Sequence, residues 1–202
     1  MKRGGRRWGI GVLLALAAAV CAFYAATRWN LDPAHGVGDI VDALDGVAVF
    51  HNGGVAHTAG RNLAPDGYNL GIRYQCVEFV KRYYYERYGH AMPDSYGHAR
   101  DFYDPAVADG ARNVKRGLLQ FRNGGAGRPA RGDLVVFSPW IFNRYGHVAI
   151  VSEAGEDEVE IVQQNPGPFG RTRERLSLVR TGDGGLRIGH RRVRGWLRME
   201  PR

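Results

Sequence analysis

The sequence predicts an α+β fold, with a helix packed on a mostly antiparallel sheet and an N-terminal apolar helix ahead of both. Three observations lead there. Cys76, Phe79, Val80 and Tyr83 fall at i, i+3, i+4 and i+7, one face of a 3.6-residue period. Residues 133–137, 147–151 and 159–162 are β-branched runs bounded by turn residues. The helical signal precedes the run of strands instead of alternating with it, which is the order of an α+β chain.

Residues 1–7 are basic and residues 8–27 carry no charge. A basic start followed by an apolar run is a signal peptide or a signal anchor. About twenty apolar residues is long for a signal core and enough to span a bilayer. The preceding cations put the N-terminus in the cytoplasm and the rest outside it, in the periplasm or at the cell surface. Val20-Cys21-Ala22 fits a small-residue cleavage site, but the length of the run favours a retained anchor. We therefore assign 1–28 to a leader, 29–45 to a linker with a short helix at 38–44, and 46–202 to the domain.

Within the domain, 47–50 reads as a strand closed by Asn52-Gly53-Gly54, and 55–73 as a loop. The cysteine helix follows. Glu78, Arg82 and Glu86 recur along it at i+4, where opposite charges support a helix. It ends at Gly89, where a left-handed residue is wanted. Asp94-Ser95 is placed to cap a second helix through Phe102. A short strand at 118–121 precedes the glycine-rich turn 123–128. The loop 138–146 separates the first two strong strands. Weaker strands are expected at 176–179, 186–188 and 195–197.

Net charge is +8, but five of the 28 basic residues, and no acidic ones, lie in 1–28. The remaining 23 basic and 20 acidic residues leave +3 for 29–202, too weak a basic footprint for a nucleic-acid enzyme. The last 32 residues carry ten Arg, a solvated face or one that leans on an anionic polymer or membrane. The seven His show no metal-ligand spacing, there is no phosphate loop and no Cys-x-x-Cys, and no cofactor is expected.

Outside the leader the chain has one cysteine, Cys76, and so no internal disulfide. A cysteine in an apolar stripe is ordinarily a small core residue. Cys76, however, stands where a glycine-rich loop meets a helix, and the unpaired N–H groups of a helix start favour a thiolate. A thiol nucleophile needs a base and a group that orients the base. His147 opens a strong strand after Tyr145-Gly146 and is the candidate base. Gln163 and Asn165 leave the next strand. Antiparallel pairing sets them beside His147, and either amide oxygen could accept from its ring.

Gln75-Cys76-Val77-Glu78-Phe79, then 132–137, then 146–151, then Gln164-Asn165 resemble the CHAP family of cysteine, histidine-dependent amidohydrolases and peptidases, in order and spacing across about 45–170. The Tyr-Gln-Cys-Val-Glu-Phe form is most similar to glutathionylspermidine amidase domains. The resemblance implies a papain-like α+β fold, Cys76 as nucleophile and His147 as general base. It also implies an oxyanion held by the Cys76 N–H and a second donor, for which Gln75 is proposed. The family often has Glu-Gln-Asn at the end of the strand after the His strand; here Gln163 stands in the Glu position. A neutral amide fixes the tautomer but stabilises imidazolium less than a carboxylate does.

The expected function is a membrane-anchored thiol amidohydrolase acting outside the cytoplasm on an amide bond, with peptidoglycan peptides as partner and substrate. Two alternatives remain open. One is an amidase on a small glutathionyl-polyamine conjugate. The other is a wall-binding module with a weakened site.

Overall fold

A computed structural model describes residues 3–182 and 184–200, with side chains from Trp8 onward, so Met1 and Lys2 of the basic start lie outside the described residues. The N-terminal apolar run is helical: it forms α1 (Arg3–Arg28), which is exposed from Trp8 to Tyr24. Its end is tied to the body, where the Ala56 N–H donates to Thr27 O at 2.9 Å. Gly54 makes this approach possible, because a Cβ there would lie 2.5 Å from the Arg28 carbonyl.

The segment expected to be a short helix at 38–44 is instead a strand. β1 (Ile40–Leu44) pairs antiparallel with β2 (Val47–Phe50). The turn between them explains the outcome. Asp45 and Gly46 have φ of 51° and 85°, the left-handed pair that matches hairpin twist and that Asp-Gly adopts readily. The linker range 29–45 thus contains the first strand. A second hairpin, β3 (Arg61–Leu63) with β4 (Asn69–Ile72), lies in the stretch expected to be loop. Gly71 on β4 has φ of 134°, and a Cβ there would lie 3.1 Å from the Glu78 Cα. Glycine lets this hairpin pack on the next helix.

That helix is α2 (Cys76–Tyr88), with Gly89 closing it at φ 63°. It buries Phe79, Val80, Tyr83 and Tyr84 against the sheet. The second helix expected after Asp94-Ser95 is only a 3-10 turn, Ala99–Phe102, capped by His98 and Asp101. The carbonyls of Asp94 and Ser95 are held by Arg116 and Lys81, two buried cations, which keeps the chain extended there.

The remaining strands are β5 (Arg112–Asn113), β6 (Leu118–Arg122), β7 (Leu134–Phe137), β8 (His147–Ala154), β9 (Glu158–Val162), β10 (Arg173–Arg180), β11 (Leu186–Ile188) and β12 (Val193–Arg198). They form one antiparallel sheet in the order β11-β10-β9-β8-β7-β12-β6-β5. Both faces of its centre are buried, which is why β7 and the start of β8 read as unbroken apolar runs. Val136, Val148, Ile150 and Val162 face α2. Val135, Ala149, Val151 and Ile161 pack on the other face with Leu178, Ile188 and Trp196, so the sheet curls around a second core.

Candidate active site

The site forms where α2 begins beside the start of β8. Gln75 precedes the helix in extended conformation and Cys76 is its first residue, so the thiol sits among N–H groups that lack helical partners. The backbone N–H of Val148 also hydrogen-bonds the thiol, which places Cys76 against the residue next to His147. Cys76 is partly exposed and unpaired, and His147 is buried.

The two amides expected near His147 take different positions. His147 Nε2 is 2.8 Å from Gln163 Oε1. The amide orientation follows from its other end, where Gln163 Nε2 donates to Arg171 O at 3.0 Å and to Glu174 Oε2 at 3.2 Å. The oxygen therefore faces the ring, and His147 donates from Nε2. Nδ1 is left as the basic nitrogen. Strand alternation accounts for the meeting. His147 shares the register of Ala149 and Val151, and Gln163 that of Ile161, on the sheet face away from α2.

Asn165, at φ 54°, donates instead to Val55 O at 2.9 Å and to Gln75 Oε1 at 2.8 Å. Gln75 in turn directs its amide hydrogens at His57 O (2.7 Å) and Val55 O (3.3 Å). As placed, this pair ties the 52–57 loop to the site. An oxyanion reaching for Gln75 would have to displace one of those bonds.

Two features went unseen in the sequence. The first is the role of Gln164, which the sequence offers only as part of a motif and which is fully buried. Its Nε2 donates to Glu78 Oε2 at 2.8 Å and to Gln75 O at 3.0 Å, and its Oε1 accepts from the Phe50 N–H at 2.8 Å. The Glu78 carboxylate also takes Arg82 Nε at 2.6 Å and Asn62 Nδ2 at 2.8 Å. The i,i+4 pair expected to support the helix is thus a buried one that locks β2, β3 and the segment after β9 to the start of α2. The second feature is Glu174, which sets a carboxylate one amide away from His147. No periodicity marks it; it lies on β10, and only the β9–β10 pairing, Glu174 opposite Ile161, brings it near.

Electrostatics differ from the sequence expectation. Burial pushes the Cys76 thiol up to about 11, against the pull of the N–H groups of Val148, Val77 and Cys76 itself. Burial likewise drives His147 down to about 4, opposed by the bond to Gln163 and reinforced by the Arg192 charge. Desolvation outweighs the helix start, so thiol and imidazole are both neutral at rest near pH 7. Moving the proton from Sγ to Nδ1 would create two opposite charges, each formed against the burial that holds its group neutral.

A cavity of about 620 Å³ opens beside Asn165, walled by Trp29, Asn30, Phe50, His51 and Arg171. Cys76 and His147 are not in its wall. Among the described residues no group of three His, Cys, Asp or Glu could hold a metal ion.

A family model for the CHAP domain matches residues 65–165, which include Cys76, His147 and Gln163 to Asn165. The chain belongs to the CHAP family, and its fold is α+β with the Cys76 helix against an antiparallel sheet. Over 107 residues it is 33% identical to trypanothione synthetase from Crithidia fasciculata, covering 53% of this chain and 16% of that protein. Over 180 residues it is 31% identical to the bifunctional glutathionylspermidine synthetase/amidase of Escherichia coli strain K12, covering 85% of this chain and 26% of that protein. The chain therefore spans about a quarter or less of the length of these relatives. The crystal structure of the wild-type endolysin LysIME-EF1 matches 68% of this chain and 57% of its own, at 20% identity and a TM-score of 0.39. Among the described residues, Trp8–Arg28 is long and apolar enough to cross a membrane, a property that signal sequences share.

Proposed function

We propose that this CHAP amidohydrolase uses Cys76 as a thiol nucleophile and His147 as its base, on an amide bond outside the cytoplasm. The observation that carries the proposal is the pairing of His147 Nε2 with the Gln163 oxygen. It leaves Nδ1 unprotonated at the end of β8 where Cys76 lies. In this reading the thiol proton passes to Nδ1 as sulfur attacks the carbonyl. The amide C–N bond then breaks, the imidazolium returns the proton to the leaving amine, and water hydrolyses the thioester. The Cys76 N–H, which has no helical partner at the helix start, is the first oxyanion donor in this reading.

The substrate proposed is the peptide part of peptidoglycan, and α1 is proposed as a retained anchor that holds the domain at the outer membrane face. Support comes from the basic start, the uncharged stretch and the exposure of Trp8 to Tyr24. The match to a synthetase/amidase over 85% of the chain favours a second reading, an amide between a glutathionyl group and a polyamine. Incubating the full-length protein with purified peptidoglycan and, separately, with glutathionylspermidine distinguishes them by mass spectrometry. New peptide termini in the first sample support the first reading. Release of spermidine alone supports the second.

A further inference from the structure

The loop before His147 closes on itself. Trp140 N–H donates to Asn143 O and Asn143 N–H to Trp140 O, each at 3.0 Å, so Ile141 and Phe142 form its tip. Ile141 is 87% exposed, Phe142 56% and Trp140 41%. Three consecutive large apolar residues held out on a closed turn are not the scattered single exposures of an ordinary surface.

The tip touches the apolar helix. The Phe142 ring lies 4.9 Å from that of Phe23 on α1 and 4.7 Å, edge-on, from that of Trp140. The apolar stretch Trp8–Arg28 has 21 residues, so at 1.5 Å rise it is about 32 Å long, matching a hydrocarbon core of about 30 Å. Phe23 lies about 7.5 Å before Arg28 along that axis. A helix spanning the core carries Phe23 below the outer boundary, and the ring contact carries Phe142 to the same depth. Cations surround this level. Arg28 sits over Tyr24 at 5.2 Å, Arg144 over Tyr145 at 5.0 Å and Arg192 over Trp140 at 5.3 Å. Aromatic rings with arginines above them are the arrangement that interfacial residues adopt, rings among the headgroups and guanidinium groups at the phosphates.

We propose that Trp140, Ile141 and Phe142 insert into the outer leaflet beside α1 as a second point of membrane attachment. The proposal rests on the reading of α1 as a retained anchor. A single helix is a tether about which a domain can swing. A second contact fixes its orientation and holds His147, five residues beyond Phe142, close above the bilayer.

The test uses the full-length protein with Cys21 and Cys76 replaced by Ala and single cysteines at Leu14→Cys, Ile141→Cys or Glu156→Cys. Position 156 is exposed and lies past the far end of β8 from the loop. Each variant carries an environment-sensitive fluorophore and is reconstituted in phosphatidylethanolamine and phosphatidylglycerol vesicles with nitroxide lipids labelled at shallow or deep positions. The expected result is deep quenching at 14, shallow quenching at 141 several-fold stronger than at 156, and a blue-shifted emission at 141. Quenching at 14 without quenching at 141 overturns the insertion and leaves the anchor standing. No quenching at 14 overturns the anchor and the insertion with it. Equal quenching at 141 and 156 also overturns the insertion.

Discussion

Gln163 accepts a hydrogen bond from His147 at 2.8 Å and, through the other end of the same amide, donates to Glu174 at 3.2 Å. The carboxylate that could compensate an imidazolium is present, but one residue removed. Gln163 fixes the ring, and Glu174 and the Arg171 carbonyl fix Gln163. Neither Glu174 nor the amide orientation could be read from Gln163 alone.

This relationship predicts a paired effect. Gln163→Glu alone sets two carboxylates face to face and loses the donor to Arg171 O, so the rate of hydrolysis should fall. Adding Glu174→Gln removes the repulsion and restores a donor opposite the new carboxylate. The double variant should exceed Gln163→Glu, with a coupling energy of about 1 kcal/mol or more. Additive effects would mean that Glu174 does not act through residue 163.

Reactivity of the thiol should depend on His147. With Cys76 pushed up to about 11, a thiol without a base is ionised to roughly one part in ten thousand at pH 7. Alkylation of Cys76 by iodoacetamide, followed on its tryptic peptide, should be at least about tenfold slower at pH 7 in His147→Ala than in the wild type. The variant's rate should climb steadily as pH rises toward 11. Equal rates at pH 7 would separate the two residues chemically.

Folding stability should carry the mark of the buried imidazole. The unfolded chain takes up a proton as pH falls through about 6.5, and the folded chain does not until about 4. Between those values the unfolded state binds more protons, so stability falls as pH falls. The gap of about 2.5 units corresponds to about 3 kcal/mol. Urea denaturation should show the wild type losing that much more than His147→Asn between pH 6.5 and 4. Matching pH slopes would contradict a buried neutral His147.

Glu78 should behave as a structural residue. Replacing it by Ala leaves Arg82, 6% exposed in its side chain, without its anion and Gln164 with only one of its two acceptors. A loss of about 3–5 kcal/mol is expected in denaturant titration. A loss below about 1 kcal/mol would mean that the network does not hold the start of α2.

What the sequence revealed follows from period and length. α2 and β7 to β9 are regular and apolar, and their periods are plain. The segment 40–44 reads as helical because its apolar residues can also be placed on a helix face; the Asp45-Gly46 turn is the stronger signal. β3 and β4 are short and rich in Asn and Gly, and they exist because they pack on α2. Cys76, His147 and the 163–165 segment stand out as candidates because each sits at the end of a regular element. The division of labour among Gln163, Gln164 and Asn165 does not, since it depends on which sheet face each one meets. The thiol's environment was also out of reach, because the helix start is legible in sequence and the depth of burial is not.

The central claim is that Cys76 carries the chemistry. The most direct measurement compares hydrolysis by the full-length wild type and Cys76→Ser on peptidoglycan and on glutathionylspermidine, with thermal melts to verify equal folding. The account predicts wild-type product from one of the two substrates and none above background from the serine variant at an unchanged melting temperature. Product formation by Cys76→Ser at the wild-type rate would contradict it.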